Sequence, residues 1–305
     1  MKKIFNTVFL TLTLAALFLT GCGSAPQSND NAFSVLASTS FLADIAQNVA
    51  GDRLTVTSLL PIGADPHSYQ AAPLDVSRIA NSDVLILNGI GYETFIDPLL
   101  ENAGGEHFII TASDGLQANQ MESEDNPSEM VGDPHMWLDV SRTVKYVENI
   151  RDGLMQADPA GADIYKSNAE AYIAQLEELD AWITEQVQSI PAEKRLLVTN
   201  HESLGYFAQR YGFTVVGSIL PSFSSEAGVS AQEVAAAVNK IRDSGASAIF
   251  LGEVENADLA EQIAAETGVK VVNDLYFESL TDGTPAPTYI DMMKYNVTQI
   301  VNALK

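Results

Sequence analysis

Three of the four histidines in the chain lie at predicted strand ends or in loops, where side chains with chemical roles are expected. His67 and His135 each end an Asp-Pro-His tripeptide, and His201 follows the apolar run 195–199. Proline fixes its own backbone and favours an extended conformation for the residue before it, so each tripeptide presents its histidine from a stiff loop. Neutral imidazoles are good ligands for Zn²⁺ and other first-row ions. The three histidines therefore predict a metal site.

The site must be assembled by tertiary folding, because the short His-Glu-x-x-His spacing of metalloproteases is absent. A fourth ligand is expected at the end of the predicted strand 269–272, where Asp274 and Glu278 are both candidates. The remaining histidine, His107, lies at the entrance of a predicted strand, and we expect it to have a structural role.

The elements that must position these residues follow an alternation of apolar runs and helical patterns. One long amphipathic helix is predicted over residues 160–189, which contain no proline and, after Gly161, no glycine. Continuous apolar runs on either side of it are typical of buried parallel strands. They are residues 33–38, 54–60, 83–88, 108–111, 195–199, 214–218, 248–251 and 269–272.

This pattern predicts an α/β protein with two lobes, each with a mainly parallel sheet. The lobes are expected at residues 33–157 and 191–305, joined by a rigid linking helix within 158–190. The carboxyl ends of the strands would then face a cleft between the lobes, and the metal site would lie there.

Composition excludes several classes of function. The 305-residue chain has 40 acidic and 16 basic residues and a formal net charge of −24. That charge argues against nucleic-acid binding and against attachment to anionic lipid through basic patches. A single cysteine excludes an internal disulfide framework and any cysteine-rich metal site.

The N-terminus has the pattern of a secretory signal over residues 1–21, with two lysines before the apolar run from Val8 to Leu19. The run ends in Leu-Thr-Gly-Cys, which resembles the bacterial lipobox, so we expect cleavage before Cys22 and its lipidation. Residues 22–32 then form a flexible lipidated tether. Cleavage removes two lysines and no carboxylate, so the mature charge is −26. The predicted location is extracytoplasmic, at the outer face of the cell membrane or in the periplasm.

Four segments of the chain have distinctive sequences: Pro-Ile-Gly-Ala-Asp-Pro-His-Ser-Tyr at 61–69, Asp-Pro-His-Met-Trp-Leu-Asp at 133–139, His-Glu-Ser-Leu-Gly-Tyr-Phe at 201–207 and Thr-Tyr-Ile-Asp-Met-Met-Lys-Tyr-Asn at 288–296. All four resemble one family, the zinc/manganese solute-binding lipoproteins of ABC importers (ZnuA/TroA-like, bacterial solute-binding protein family 9). The resemblance covers essentially the whole mature chain. It implies two α/β lobes joined by a rigid helix, with one metal ion bound between them.

The resemblance also assigns the ligands. His67 and His135 match the two ligands of the first lobe, and His201 matches the first ligand of the second lobe. Glu278 fits the register of the fourth ligand better than Asp274, although the family usually has Asp there. His201 resembles the zinc-type pattern, because manganese-type relatives often carry Glu at that place.

The implied function is capture of a divalent metal, with Zn²⁺ expected, and its delivery to an ABC permease and its ATPase by a monomeric binding protein that is not an enzyme. The alternatives are Mn²⁺ or Fe²⁺ as the cargo, a surface adhesin, and a zinc-dependent hydrolase. Affinity should fall as the pH drops through the histidine range near 6.5. The acidic segment 121–133 is expected to be a solvated, disordered loop, and a cation-collecting role is the alternative.

Overall fold

The apolar runs of the first half of the chain form a four-stranded sheet with strand order β2-β1-β3-β4. The computed structural model describes residues 33–122, 128–225 and 227–305. All pairings in this sheet are parallel, so the carboxyl ends of its strands share one edge. Its elements are β1 (Val35–Ala37), α1 (Ser40–Ala50), β2 (Val56–Ser58), α2 (Pro73–Ala80), β3 (Val84–Leu87), α3 (Ile96–Ala103) and β4 (Phe108–Thr111).

The second half forms another four-stranded parallel sheet, with strand order β10-β9-β7-β8. Between the two sheets in the chain come an antiparallel ribbon and two helices. These are β5 (Gln120–Glu122), β6 (Met130–Gly132), α4 (Val140–Ala157) and α5 (Ala162–Gln188). The second sheet and its helices are β7 (Leu196–Thr199), α6 (Gly205–Tyr211), β8 (Thr214–Ser218), α7 (Ala231–Ser244), β9 (Ala248–Gly252), α8 (Asp258–Thr267), β10 (Lys270–Leu275) and α9 (Tyr289–Leu304).

Each sheet has a hydrophobic core against its own helices. In the first, strand residues such as Leu36 and Leu85 pack with Ile79 of α2 and Leu99 of α3. In the second, the core joins strand residues to α7 and α8 and includes Val198, Ile241, Ile249, Leu251 and Ile263. Full burial of one such side chain is worth about 1.5–3 kcal/mol. Each core therefore fixes the strands whose ends carry the site residues.

Helix α5 contacts both halves of the chain. It packs against α1 and α4 from the first half and against α9 from the second. Its buried stripe recurs at three- and four-residue spacing and consists of Tyr165, Ala169, Tyr172, Leu176, Leu179, Ile183 and Val187. Residues Ser34–Lys305 form one compact unit.

The α/β fold class with mainly parallel sheets and a long helix is confirmed. The predicted helix 160–189 begins instead with a 3₁₀ turn, Pro159–Gly161, and is α-helical from Ala162 to Gln188. Helix α4 was not predicted, although its buried residues Val140, Val147, Ile150 and Leu154 have helical spacing. Within the described residues, no helix combines the length and hydropathy that a membrane-spanning segment requires.

The acidic segment 121–133 differs from the expected disordered loop. Both of its described ends pair in the antiparallel ribbon, with Met121 opposite Val131. The ribbon is anchored next to the second histidine tripeptide, because the backbone N–H of Asp133 donates to the carbonyl of Asn119 at 2.8 Å. Residues 123–127 lie outside the described residues.

Candidate metal centre

The two Asp-Pro-His tripeptides form the same local turn. In the first, the backbone N–H of His67 donates to Oδ1 of Asp65 at 2.9 Å. In the second, the backbone N–H of His135 donates to Oδ1 of Asp133 at 3.0 Å. An Asp that accepts from the backbone two residues later closes a compact turn. The repeated tripeptide therefore places both histidines by one mechanism.

The other two site residues follow strands of the second sheet. His201 comes two residues after β7, and the hydroxyl of Thr199 donates to its carbonyl at 2.6 Å. Glu278 follows β10, and the N–H groups on either side of it, of Phe277 and Ser279, donate to the two oxygens of Glu253 at 2.9 and 2.8 Å. The backbone of Glu278 is thus held from both sides.

The four side chains converge on one point. One ligand atom from each of His67, His135, His201 and Glu278 lies within 4.8 Å of the others. Oε1 of Glu278 is 3.9 Å from Nε2 of His67, 3.4 Å from Nε2 of His135 and 3.7 Å from Nε2 of His201. Exposure of the four side chains is 5% or less.

The arrangement fits a metal ion. Nε2 of His67 and Oε1 of Glu278 are buried and have no hydrogen-bond partner in the described part of the chain. Buried polar atoms are normally paired, and an unpaired one is costly. A divalent cation would satisfy both atoms at once, with two further imidazoles beside them. Three nitrogens and one oxygen are a donor set that Zn²⁺ accepts in four-coordinate sites.

Outer carboxylates orient two of the imidazoles. Nδ1 of His135 donates to Oδ1 of Asp133 at 2.9 Å, and Nδ1 of His201 donates to Oε1 of Glu255 at 2.5 Å. Because Nδ1 of each ring carries this bond, Nε2 is directed at the centre, and a carboxylate partner raises the basicity of the ligand. The phenol of Tyr92 donates to Oε2 of Glu278 at 2.5 Å.

Burial and these carboxylates shift the pKa values of the three histidines in different directions. Burial, together with the neighbouring imidazoles, lowers the pKa of His67 to about 4, although the attraction of Glu278 opposes this shift. Burial also opposes the charge of His201, but Glu255 and Glu278 outweigh it and raise the pKa of His201 to about 10. The same balance, with Asp133 and Glu278, raises the pKa of His135. The imidazoles hold the pKa of Glu278 well below its ordinary value despite burial, so its carboxylate is ionised.

A cavity of about 560 Å³ lies beside the site, and His67 is the only one of the four site residues in its lining. The ribbon contributes Met121, Glu122, Val131 and Gly132 to the wall. Further lining residues come from the turn after β3 and from the segment after β8, and include Ile90, Thr94, Ser222, Phe223 and Ala227. The acidic segment therefore borders this cavity through one described carboxylate, Glu122.

The structure brings together His67, His135, His201 and Glu278, but not Asp274. Strand β10 continues to Leu275, so Asp274 lies within the strand and is exposed, and its Oδ2 accepts a hydrogen bond from the phenol of Tyr295 at 2.7 Å. His107 also lies apart from the site and pairs with the carbonyl of Gly104 at 2.9 Å. Cys22, expected to carry the lipid, lies outside the described residues.

Sequence reasoning missed three residues of the site: Tyr92, Glu253 and Glu255. The two glutamates directly follow β9, so the rule that identified His201 could also have identified them. Tyr92 also lies in the turn after a strand, β3, but its partner Glu278 is 186 residues away in the sequence, so their hydrogen bond could not be predicted.

Comparison with known proteins agrees with this geometry. The family model described as zinc-uptake complex component A, periplasmic, matches residues 35–303. The manganese-binding lipoprotein MntA of Halalkalibacterium halodurans is 36% identical, and the alignment covers 100% of this chain and 99% of that protein. A manganese ABC transporter substrate-binding lipoprotein, PsaA of Streptococcus anginosus, is 28% identical over 100% of this chain and 99% of its own length.

Solved structures share the fold. The Mn-bound periplasmic metal-binding protein of Candidatus Liberibacter asiaticus is 32% identical with a TM-score of 0.79, and the match covers 90% of this chain and all of that one. The periplasmic zinc-binding protein TroA of Treponema pallidum is 28% identical with a TM-score of 0.80, over 88% of this chain and 98% of its own. The chain therefore belongs to the periplasmic zinc-uptake component A family of extracytoplasmic, metal-binding substrate-binding proteins of ABC importers.

Proposed function

We propose that this protein binds one divalent transition-metal ion between His67, His135, His201 and Glu278 and delivers it to the permease of an ABC importer. The observation that carries the proposal is the convergence of four buried donor atoms, two of which have no other partner among the described residues. The ionised carboxylate supplies the negative charge that a cation requires in a buried site.

Zn²⁺ is the ion that this donor set favours. Three imidazole nitrogens and one carboxylate oxygen suit a four-coordinate site, and Zn²⁺ binds more tightly than Mn²⁺ at nearly any nitrogen and oxygen site. Mn²⁺ is the second candidate, because MntA and PsaA are named for manganese. Tight Zn²⁺ binding by the purified protein would not decide between them, so the cargo must be identified in the cell.

The proposal also includes a lipid anchor for the protein and its division into two lobes. Cleavage after residue 21 and lipidation of Cys22 would attach the protein to the outer face of the membrane, where the permease and its ATPase partner operate. Residues 33–157 and 191–305 would act as two lobes that meet at the metal, with 158–190 as the rigid link. This assignment is supported by the contacts of α5 with helices of both halves.

Binding is favoured over hydrolysis because the fourth position of the three-histidine group is filled. Catalytic zinc sites keep that position for water. Here Oε1 of Glu278 lies there, on a side chain that is 1% exposed.

The test combines elemental analysis of the protein purified from its native envelope with growth of a deletion strain supplied with Zn²⁺ or Mn²⁺. We expect about one metal ion per protein and rescue of growth by the metal that is found. His67→Ala should abolish both metal content and rescue. His107→Ala is the matched control, because it removes the one histidine outside the site. Normal metal content in the His67→Ala protein would contradict the proposal.

A further inference from the structure

The two carboxylate oxygens of Glu278 have different surroundings. Oε1 lies 3.4–3.9 Å from the three Nε2 atoms and lacks a hydrogen-bond partner among the described residues. Oε2 accepts a hydrogen bond from the phenol of Tyr92 at 2.5 Å. Only one oxygen of this carboxylate is therefore free for an ion, and the other is already bound to the protein.

Tyr92 is held firmly in this role. It is fully buried, and its ring packs edge-on against Trp137 at 4.9 Å and against His67 at 5.5 Å between ring centroids. The preceding turn has three consecutive residues with positive φ, of which Ile90 at 58° is not a glycine. A β-branched residue in the left-handed region is strained, and such strain is retained where the surroundings impose it. The turn therefore fixes the phenol in position at a cost in backbone energy.

The hydrogen bond from Tyr92 limits the number of oxygen atoms that Glu278 offers to a metal ion. A second contact from Glu278 to an ion would require Oε2 to give up its hydrogen bond with Tyr92. With that bond kept, the protein offers three nitrogens and one oxygen, which suits Zn²⁺. Mn²⁺ favours more donors and a larger share of oxygen, so it loses more when the second oxygen is withheld.

We propose that Tyr92 is a specificity-determining residue, which keeps Glu278 as a one-oxygen ligand and so biases the site toward Zn²⁺ over Mn²⁺. This inference rests on the proposed function, that the four side chains bind the metal. Tyr92 acts through Glu278 and does not itself reach the centre, so it is a positioning residue.

The main test is Tyr92→Phe, with the dissociation constants for Zn²⁺ and for Mn²⁺ measured separately by competition with a chelator. Replacement of an outer-shell partner changes metal affinity about 10- to 100-fold. We expect the ratio of Zn²⁺ to Mn²⁺ affinity to fall about tenfold, because Oε2 becomes available to Mn²⁺. Equal changes in both affinities, or no change, would overturn the inference.

Tyr165→Phe is the matched control. Tyr165 is also a buried tyrosine, and its phenol donates to a carboxylate, Asp158, at the same 2.5 Å, but it lies at the start of α5 and does not contact the site. Its removal should leave the Zn²⁺ to Mn²⁺ ratio unchanged. A fall in the ratio equal to that of Tyr92→Phe would show a general packing effect and overturn the inference.

The wild-type protein loaded with Co²⁺ gives a second test that does not depend on the folding of the variant. Four-coordinate Co²⁺ absorbs visible light strongly and six-coordinate Co²⁺ weakly. We expect the strong spectrum, and a weak six-coordinate spectrum would overturn the inference while leaving metal binding intact. A wild-type protein that binds none of Zn²⁺, Mn²⁺ and Co²⁺ would instead overturn the proposed function, and the inference with it.

Discussion

The two Asp-Pro-His turns have the same sequence and the same backbone hydrogen bond but different side-chain partners. In the second turn, Oδ1 of Asp133 also accepts Nδ1–H of His135 at 2.9 Å. In the first, Oδ2 of Asp65 accepts the hydroxyl of Ser225, from the segment after β8, at 2.7 Å. Asp133 therefore orients its own histidine, whereas Asp65 links its turn to the second half of the protein.

The two turns also differ in the pKa of their histidines. His135 is completely buried beside Asp133 and Glu278, and its pKa is raised despite the burial. His67 has no carboxylate bonded to its ring in the described residues, lies at the wall of the cavity and has its pKa lowered to about 4. The comparison shows that the tripeptide sets the same backbone in both turns, whereas protonation depends on which carboxylates face the ring, which for His135 are Asp133 of its own tripeptide and the distant Glu278. His135 is a preoriented ligand, and His67 is the ligand that lines the cavity.

Removal of either imidazole gives the largest expected effect. Both His67→Ala and His135→Ala should lower Zn²⁺ affinity by more than about a hundredfold, because loss of a ligand exceeds the loss of an outer partner. The two variants should differ in the stability of their metal-free forms. His135→Ala also loses a buried hydrogen bond, at a cost of about 1–3 kcal/mol, whereas Nε2 of His67 has no bond to lose.

Urea unfolding of the metal-free variants measures this difference. His107→Ala serves as the control for loss of an imidazole outside the site. If His67→Ala destabilised the metal-free protein as much as His135→Ala, the two turns would be equivalent and the comparison would fail.

The pH dependence of binding is the next largest effect. His201, with a pKa of about 10, carries a proton in the metal-free protein at pH 7, whereas His67, with a pKa of about 4, is already neutral. A metal ion must displace the proton of His201, so apparent affinity should rise about tenfold for each pH unit between pH 7 and about 9. The simple expectation of a change near pH 6.5 is replaced by a dependence that continues into the alkaline range.

Calorimetry of Zn²⁺ binding at pH 7.5, in two buffers with different ionisation enthalpies, counts the protons released. We expect at least one per metal ion. A value of zero would mean that His201 is neutral in the metal-free protein and would remove the basis for this prediction.

The two aspartates themselves give a smaller effect. Asp133→Asn should lower Zn²⁺ affinity about tenfold, because a neutral amide is a weaker acceptor for Nδ1–H of His135 and no longer raises its basicity. Asp65→Asn should have less effect, since its side chain does not contact the ring of His67 in the described contacts and an amide oxygen can still accept from the backbone. Titration of both variants with chelator-buffered Zn²⁺ checks the order, and an equal loss in both would contradict it.

Much of this arrangement could be predicted from the sequence. Apolar runs and helical spacing indicated the strands and α5, and the position of His67, His135 and His201 at predicted strand ends or in loops indicated that they would lie together. The choice between Glu278 and Asp274 depended on where β10 ends. The strand was predicted to stop at residue 272, but its pairing continues to Leu275, which places Asp274 on an exposed face.

The partners of the ligands could not be predicted because they join distant segments. Glu255 is 54 residues from His201, and Tyr92 is 186 residues from Glu278. The contact of Glu255 with His201 depends on β7 and β9 being neighbours in one sheet, and the contact of Tyr92 with Glu278 depends on how the two sheets lie within the compact unit. The charge states depend on the same contacts, and for that reason three histidines in similar sequence positions differ in pKa.

The smallest expected effect concerns the tie between Asp65 and Ser225. Ser225→Ala removes a hydrogen bond that joins the His67 turn to the second half of the protein, and the net value of one such bond is about 1 kcal/mol. If the bond helps to hold the turn closed over a bound ion, the rate of Zn²⁺ release should rise about fivefold, with little change in the stability of the metal-free protein. Stopped-flow transfer of Zn²⁺ to a chromogenic chelator measures this rate. Ser141→Ala is a suitable control, because its hydroxyl donates to Asp139 at 2.6 Å within the start of α4. An unchanged release rate in Ser225→Ala would show that the hydrogen bond between Asp65 and Ser225 does not hold the first Asp-Pro-His turn closed over a bound ion.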